Sequence, residues 1–567
     1  VNRRRGLTAL LCGLTVLAGC ASVTGRPLAV GTGGITTSPV SPTNTAADPQ
    51  VPTTATSMAQ QSASQPADPT DDTTDPGTGA ESPPVPPQRT PSSTDDAATS
   101  PPGKLGGADT TSTSPAGTPV VGSDGAGDPY YPTSGNGGYE VDSYNVALTY
   151  NPSTNDLTAT DTVAATVTAP GPLARFNLDL QPNLQVDAVQ IDGTAARFTH
   201  DTAELVITPA SALAPSSSVV VVITYHGQPG TVHGGTANIG DGGWTRTLDG
   251  GAVVAGEPYS ASSWYPVNEH PSDTAAFSVT ATVPDGWDVI SNGLEVTSGL
   301  PQAPAGMHVS RWVQKEPIAS YLTTIMIDKL TFTTDTYDGI PIVNAFTSAA
   351  VNIHDEDLAK NTPKILQVLS SHFGKFPFDA YGGIFTGQSL SFALETTTRP
   401  VYANWVGLDT MIHETAHQWY GDDVTIKQWQ DICLNECFAS YAPWLYHQDV
   451  DGANLDAKWK SEMAQVANNP QFWSSPLVDM GAGNEFTAVY DRGPLAVHAL
   501  RHEMGETAFA ELLKGWITTY GGKNASFDDF EDYASKLAGK DLSGFIDAWF
   551  RGTTVPPEPY RTPPGLG

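Results

Sequence analysis

The chain is poor in cysteine, in basic residues and in long apolar runs. Four cysteines in 567 residues are too few for a disulfide scaffold or a large Cys-based metal array. Lys and Arg number 27 against 60 Asp and Glu, a formal net charge of -33. That balance excludes nucleic acid as the partner, because phosphate binding needs clustered cations. It equally excludes a polybasic membrane-surface site. The apolar run that follows Arg3-Arg4-Arg5 ends at Ala18, too short to span a bilayer comfortably.

The order of charge and then apolar residues is that of a secretory signal over 1–20. Its end, Leu17-Ala18-Gly19-Cys20, resembles a bacterial lipobox. The resemblance implies lipidation of Cys20 and an extracytoplasmic protein tethered to the cell membrane without a spanning segment. Cys12 would leave with the signal. Residues 21–133 are rich in Thr, Ser, Pro and Asp; 18 of the 46 prolines fall between 21 and 130. Such a composition cannot bury enough apolar surface to offset chain entropy, so it is expected to be a disordered spacer.

Two folded parts are expected beyond it. Residues 134–336 carry β-branched, alternating runs such as Tyr144–Tyr150, Val219–Tyr225 and Phe277–Val283. These predict an antiparallel β domain of saddle or sandwich type. Residues 337–567 turn to helical periodicity, with helices predicted over 361–373, 408–420, 431–446, 489–504, 527–537 and 542–550. An extended stretch is expected over 382–399. The fold class is therefore multidomain α+β.

The sharpest chemical signal is His413-Glu414-Thr415-Ala416-His417. On a helix, residues four apart share a face, so both imidazoles can meet one ion, with Glu414 beside it. Glu436 lies 19 positions after His417 on a second helical pattern and can close the set from a helical hairpin. Two histidines and one carboxylate suit zinc and leave a position open for water. Cys433 and Cys437, four apart on that second helix, have a poor spacing for a disulfide. They are read as small buried apolar residues, with metal ligation or redox control as the alternative.

These motifs resemble the gluzincin peptidases, and among them the M1 family. The matching runs are His413–Asp422 and Leu434-Asn435-Glu436-Cys437-Phe438-Ala439, in which Cys437 stands where the family has glycine. The resemblance implies a thermolysin-like, α-rich zinc peptidase domain after the β domain. It implies one Zn2+ per chain on His413, His417 and Glu436, and Glu414 as general base. Tyr490, in Tyr490-Asp491-Arg492-Gly493, matches the family's oxyanion donor; otherwise it reads as a packed aromatic at a helix start. Glu395, in Phe392-Ala393-Leu394-Glu395-Thr396, matches an amine-binding glutamate, although Phe392 and Thr396 depart from the family run. Glu257 is matched by its distance from Pro271 and stands as a second amine-binding carboxylate. The resemblance covers about 139–560 and does not include the long C-terminal helical domain of larger members, which implies a more open site. The implied activity is that of an aminopeptidase acting on peptides. A zinc endopeptidase and a tethered peptide-binding or scaffold protein with a silent metal site remain as alternatives.

Overall fold

A computed structural model describes residues 117–566, apart from 234, 235, 237, 238 and 352. The expected signal with Cys20, and the expected spacer as far as residue 116, lie outside the described residues. The spacer boundary needs correction where the two overlap. Residues 117–133 are built into the fold: Val120–Val121 pairs in parallel with Leu173–Asp179, and Tyr131 is buried. The aromatic and acidic residues at 128–131 supply the anchors that the Thr/Ser/Pro composition upstream lacks.

The β region is dominated by an eight-stranded sheet. Its order is Leu294–Glu295, Met307–Ala319, Thr274–Pro284, Tyr139–Asn151, Asp156–Val167, Ser218–Gly227, Leu184–Ile191 and Thr194–Ala195. The expected runs at 144–150, 219–225 and 277–283 all lie within these strands. Alternation drives the sheet: Tyr144, Val146, Leu148 and Tyr150 are buried while their neighbours face solvent. The sheet is not wholly antiparallel, because Thr274–Pro284 runs parallel to Tyr139–Asn151. A strand pair separated by more than a hundred residues is free of the hairpin constraint that enforces antiparallel pairing. A five-stranded antiparallel sheet, with Ala252–Ala255 and Ile325–Asp328 at its centre, lies nearer the functional site.

The helical region contains, in chain order, α1 (Ile353–Ala359), α2 (Thr362–Phe373), α3 (Leu408–Ala416), α4 (Cys433–Asp451), α5 (Leu455–Val466), α6 (Pro470–Trp473), α7 (Arg492–Met504), α8 (Glu506–Tyr520), α9 (Phe527–Ala538) and α10 (Ser543–Ile546). The expected helices are recovered with shifted ends. The last of them stops at Ile546 and continues as a single π turn, Asp547–Arg551. Helix α9 starts where a capping box is present: Ser526 accepts from the Asp529 N–H and Asp529 reaches back to the Ser526 N–H. Two strands, Thr331–Tyr337 and Ile340–Phe346, form a hairpin that continues in parallel through Ile384–Phe385 to Val401–Tyr402. The expected extended stretch at 382–399 thus contributes one two-residue strand and a chain of turns.

The two cysteines of α4 correct another expectation. Cys433 and Cys437 are disulfide-bonded, with their Cα atoms 4.8 Å apart. One helical turn brings i and i+4 within the Cα range that a disulfide spans.

Candidate metal centre

Helix α3 carries His413 and Glu414 and ends at Ala416, leaving His417 as its C-cap residue, still in the right-handed helical region. The chain then turns sharply at Gly421, where φ is +128°. A Cβ there would meet Asn435 at 3.2 Å and His417 Nδ1 at 3.4 Å, so both conformation and space call for glycine. The turn places the Tyr420 carbonyl 3.0 Å from His417 Nδ1. A carbonyl only accepts, so Nδ1 carries a proton, and Nε2 offers its lone pair once a metal ion takes the place of a second ring proton.

That lone pair points at the other expected ligands. His417 Nε2 lies 3.1 Å from His413 Nε2, and Glu436 Oε2 lies 3.2 Å from His413 Nε2 and 3.6 Å from His417 Nε2. Donors held at about 2.0–2.2 Å from one tetrahedral ion are about 3.3–3.6 Å apart, so the observed spacing suits such an ion. All three residues are buried. Glu436 Oε2 makes no hydrogen bond, which leaves a buried carboxylate oxygen facing two imidazoles. Burial works against charge on Glu436, but His417 and His413 outweigh it and hold its carboxyl down at about 2. A buried anion beside two ring nitrogens is a cation site. The donor set fits zinc: two imidazole nitrogens, one carboxylate oxygen and an open side toward a cavity.

The cavity beside the triad is lined by Glu257, Phe392, Glu395, Trp405, Glu414 and Tyr490, among others. Glu395 sits in a segment pinned to both regions of the fold. Its backbone carbonyl accepts from Gln418 Nε2 at 2.9 Å, and its Oε1 accepts from the Tyr321 hydroxyl at 3.3 Å. Thr396, which departs from the family run, serves a tight turn: its hydroxyl donates to the Arg399 carbonyl at 2.6 Å. Thr398 is left in the left-handed region at φ +63°, unusual for a β-branched residue, and its N–H donates to Gln418 Oε1 at 2.8 Å.

Glu257 follows the central strand Ala252–Ala255 of the five-stranded sheet and is buried, its Oε1 without a hydrogen-bond partner. Carboxylate oxygens of Glu257, Glu395 and Glu436 lie within 4.8 Å of one another, and a second set joins Glu395, Glu414 and His417. Burial first, and then the crowd of like charges, pushes Glu257 above the ordinary carboxylate range. Burial also raises Glu414 and Glu395, against the pull of His417. Such a cluster cannot ionise fully unless cations enter it.

Tyr490 lies two residues before α7, with its ring centroid 5.8 Å from that of His413. Burial and the surrounding Glu436, Glu257, Glu414 and Glu395 push its hydroxyl well above its ordinary range, so it stays a donor. Arg492 anchors this corner and was not singled out from the sequence. It is fully buried, donates to the carbonyls of Ser475, Trp549 and Gly552 at 2.5, 2.6 and 2.9 Å, and stacks over Trp473. Gln418 and Tyr321 were missed as well. Gln418 stood inside the quoted His413–Asp422 run, whereas Tyr321 is 74 residues from Glu395 and carries no local signal.

A helix-borne His-Glu-x-x-His pair faced by a glutamate from the next long helix, beside a β region, is the arrangement that the gluzincin resemblance implies. Residues 361–549 match the peptidase family M1 domain. The structure is similar to the M1 zinc metallopeptidase from Deinococcus radiodurans, with 28% identity, a TM-score of 0.70, and coverage of 78% of this chain and 99% of that one. Among curated proteins, aminopeptidase N of Streptomyces lividans is 24% identical over 50% of this chain and 36% of its own length. Tricorn protease-interacting factor F2 of Thermoplasma volcanium is 23% identical over 55% of this chain and 42% of its own length. The chain thus carries a peptidase family M1 domain over residues 361–549. It spans less than half the length of these curated relatives.

Proposed function

We propose that the protein is a zinc-dependent aminopeptidase that hydrolyses the N-terminal bond of peptides. The observation that carries this reading is the placement of Glu257 and Glu395 on the same cavity as the metal triad, with carboxylate oxygens close to Glu436. Two carboxylates there suit one ammonium group, and their nearness to the triad allows only about one residue between the amine and the reacting carbonyl. A mutant of the Deinococcus radiodurans peptidase has been solved bound to a Tyr-Ser-Ala substrate, a short peptide of the class proposed.

His413, His417 and Glu436 would hold a zinc ion, which when bound would supply a Lewis acid for the carbonyl oxygen and the water. Glu414 accepts the proton of the attacking water and delivers it to the departing amine. The Tyr490 hydroxyl donates to the oxygen on which charge develops. Glu257 and Glu395 hold the substrate ammonium and fix the register; Arg492 holds the chain on which Tyr490 is presented.

The test pairs Glu414→Ala with two substrates. The wild type should cleave peptides and amino-acid arylamides with a free amine and leave N-acetylated versions intact. Glu414→Ala should keep its zinc and lose turnover by about 10³-fold or more, as for loss of a positioned acid–base group with its water. Preference for the acetylated peptide would overturn the exopeptidase assignment.

We infer as well, from the Leu17–Cys20 motif alone, that a lipid on Cys20 tethers the enzyme to the outer face of a membrane. Among the described residues no helix is long and apolar enough to cross a membrane. Cys20→Ser should move the protein from the detergent phase to the aqueous phase on partitioning.

A further inference from the structure

A second pair of histidines four apart lies on α7, His498 and His502, away from the cavity just described. An i,i+4 pair shares a helix face. Asp456, in the first turn of α5, reaches across to it: its Oδ1 lies 3.1 Å from His498 Nε2 and 2.9 Å from His502 Nε2. The three donor atoms fall within 4.8 Å of one another. The two rings are 5.1 Å apart between centroids, close to the 4.7 Å between His413 and His417. His498 is further oriented from behind, with its Nδ1 2.8 Å from the hydroxyl of Tyr441 on α4. Side-chain exposure rises from 1% at His498 to 14% at His502 and 43% at Asp456. The donors therefore converge at a spot walled by protein on one side and open to solvent on the other.

We propose that His498, His502 and Asp456 form a second metal site, separate from the catalytic triad, that takes a divalent transition ion of the zinc class. Two imidazole nitrogens and one carboxylate oxygen repeat the donor chemistry of the first centre. Calcium and magnesium are disfavoured, because they take oxygen-rich sets. An ion would take the Nε2 lone pair of each ring, which puts the ring proton on Nδ1. At His498 the Tyr441 oxygen is placed to accept it, the usual outer partner of a metal-bound imidazole. Solvent fills the exposed side of the ion.

The site would clamp α5 to α7 and, through Tyr441, to α4. Helix α7 begins two residues after Tyr490, so the clamp steadies the element next to the oxyanion donor without touching the reacting atoms. Its role is therefore structural, and its loss should move stability more than turnover.

The test counts ions on the full chain. Protein stripped with a chelator is loaded with excess Zn2+, freed of unbound metal by gel filtration and assayed for zinc. Two ions per chain are expected for the wild type. One is expected for His502→Gln, for Asp456→Asn and, through loss of the other centre, for Glu436→Gln. In Glu436→Gln, zinc should still raise the thermal midpoint, and adding His502→Gln should abolish that rise with the circular dichroism unchanged. His502→Gln alone should retain turnover. A single ion in the wild type under excess zinc would show a hydrogen-bonded His–Asp–His cluster and overturn the site. So would a second ion that survives both His502→Gln and Asp456→Asn. Neither result bears on the aminopeptidase reading, which rests on Glu414, Glu257 and Glu395.

Discussion

At the scale of single residues, burial decides the charge of the groups around the metal centre. Tyr490 is the cleanest case. Its hydroxyl is kept protonated by burial among four carboxylates, so it can give a hydrogen bond where negative charge appears and cannot compete as an anion. Tyr490→Phe should lower kcat by about 10²–10³ with little change in KM, since the bond is made mainly in the transition state. Steady-state kinetics on one arylamide checks this; a change confined to KM would assign Tyr490 to ground-state binding instead. Glu395→Gln and Glu257→Gln should act differently, raising KM for free-amine substrates by about tenfold or more through loss of a charge-assisted contact. Measured on the same substrate, an unchanged KM in both variants would remove the ammonium from this pocket.

Between elements, the decisive contact is α4 against α7. Cys437 on α4 faces a glycine on α7, Gly493. A Cβ on Gly493 would come within 2.9 Å of Cys437 Sγ and 3.0 Å of its Cα. Gly493 leaves the space that the Cys437 side chain fills, and this allows the two helices their close approach. Gly493→Ala should therefore destabilise the protein by about 1–3 kcal/mol through overpacking, and lower turnover by shifting the Tyr490 corner. Thermal unfolding of the zinc-loaded protein reads the first effect. The disulfide between Cys433 and Cys437 brackets Glu436 in the first turn of the same helix, so ligand, disulfide and packing contact share one turn.

For the whole molecule, one buried carboxylate links three distant parts of the chain. Asp128 accepts from the backbone N–H groups of Tyr130 and Tyr131 at 2.8 and 3.1 Å and of Trp429 at 2.8 Å, and lies 3.4 Å from His270 Nε2. It ties the segment before the first long strand to both the β region and the loop leading into α4. Asp128→Ala should cost about 2–4 kcal/mol in urea unfolding, because it strands buried donors. Burial works against its charge, but His270 and the three N–H donors outweigh it and hold its carboxyl below the ordinary value of 3.8. A depressed carboxyl stabilises the fold above its unfolded value and loses that contribution as pH falls through the folded value. The stability difference between wild type and Asp128→Ala should therefore be full near neutrality and close below about pH 4. A difference that persists at pH 2 would show that packing and not charge is responsible.

Much of this molecule was determined by local sequence. The period-two runs placed the long strands, and the period of 3.6 placed α2, α3, α4, α7 and α9, because those segments have one buried face. Helices α5 and α8 were not anticipated, and the strand pair Thr331–Tyr337 and Ile340–Phe346 was not singled out. In α5 only Leu455, Trp459 and Met463 are buried, and the rest reads as polar chain. The pairing of His413 with His417 was legible because an i,i+4 pair is a property of the helix itself. What only the tertiary structure decided is which distant groups meet. Glu257 reaches the triad from a β-sheet loop, Tyr321 supports Glu395 across 74 positions, Arg492 is buried among carbonyls from two separate segments, and Asp456 faces His498 and His502 from another helix. No periodicity encodes these meetings. They follow from how sheets and helices pack, and packing is settled by the whole set of buried faces at once.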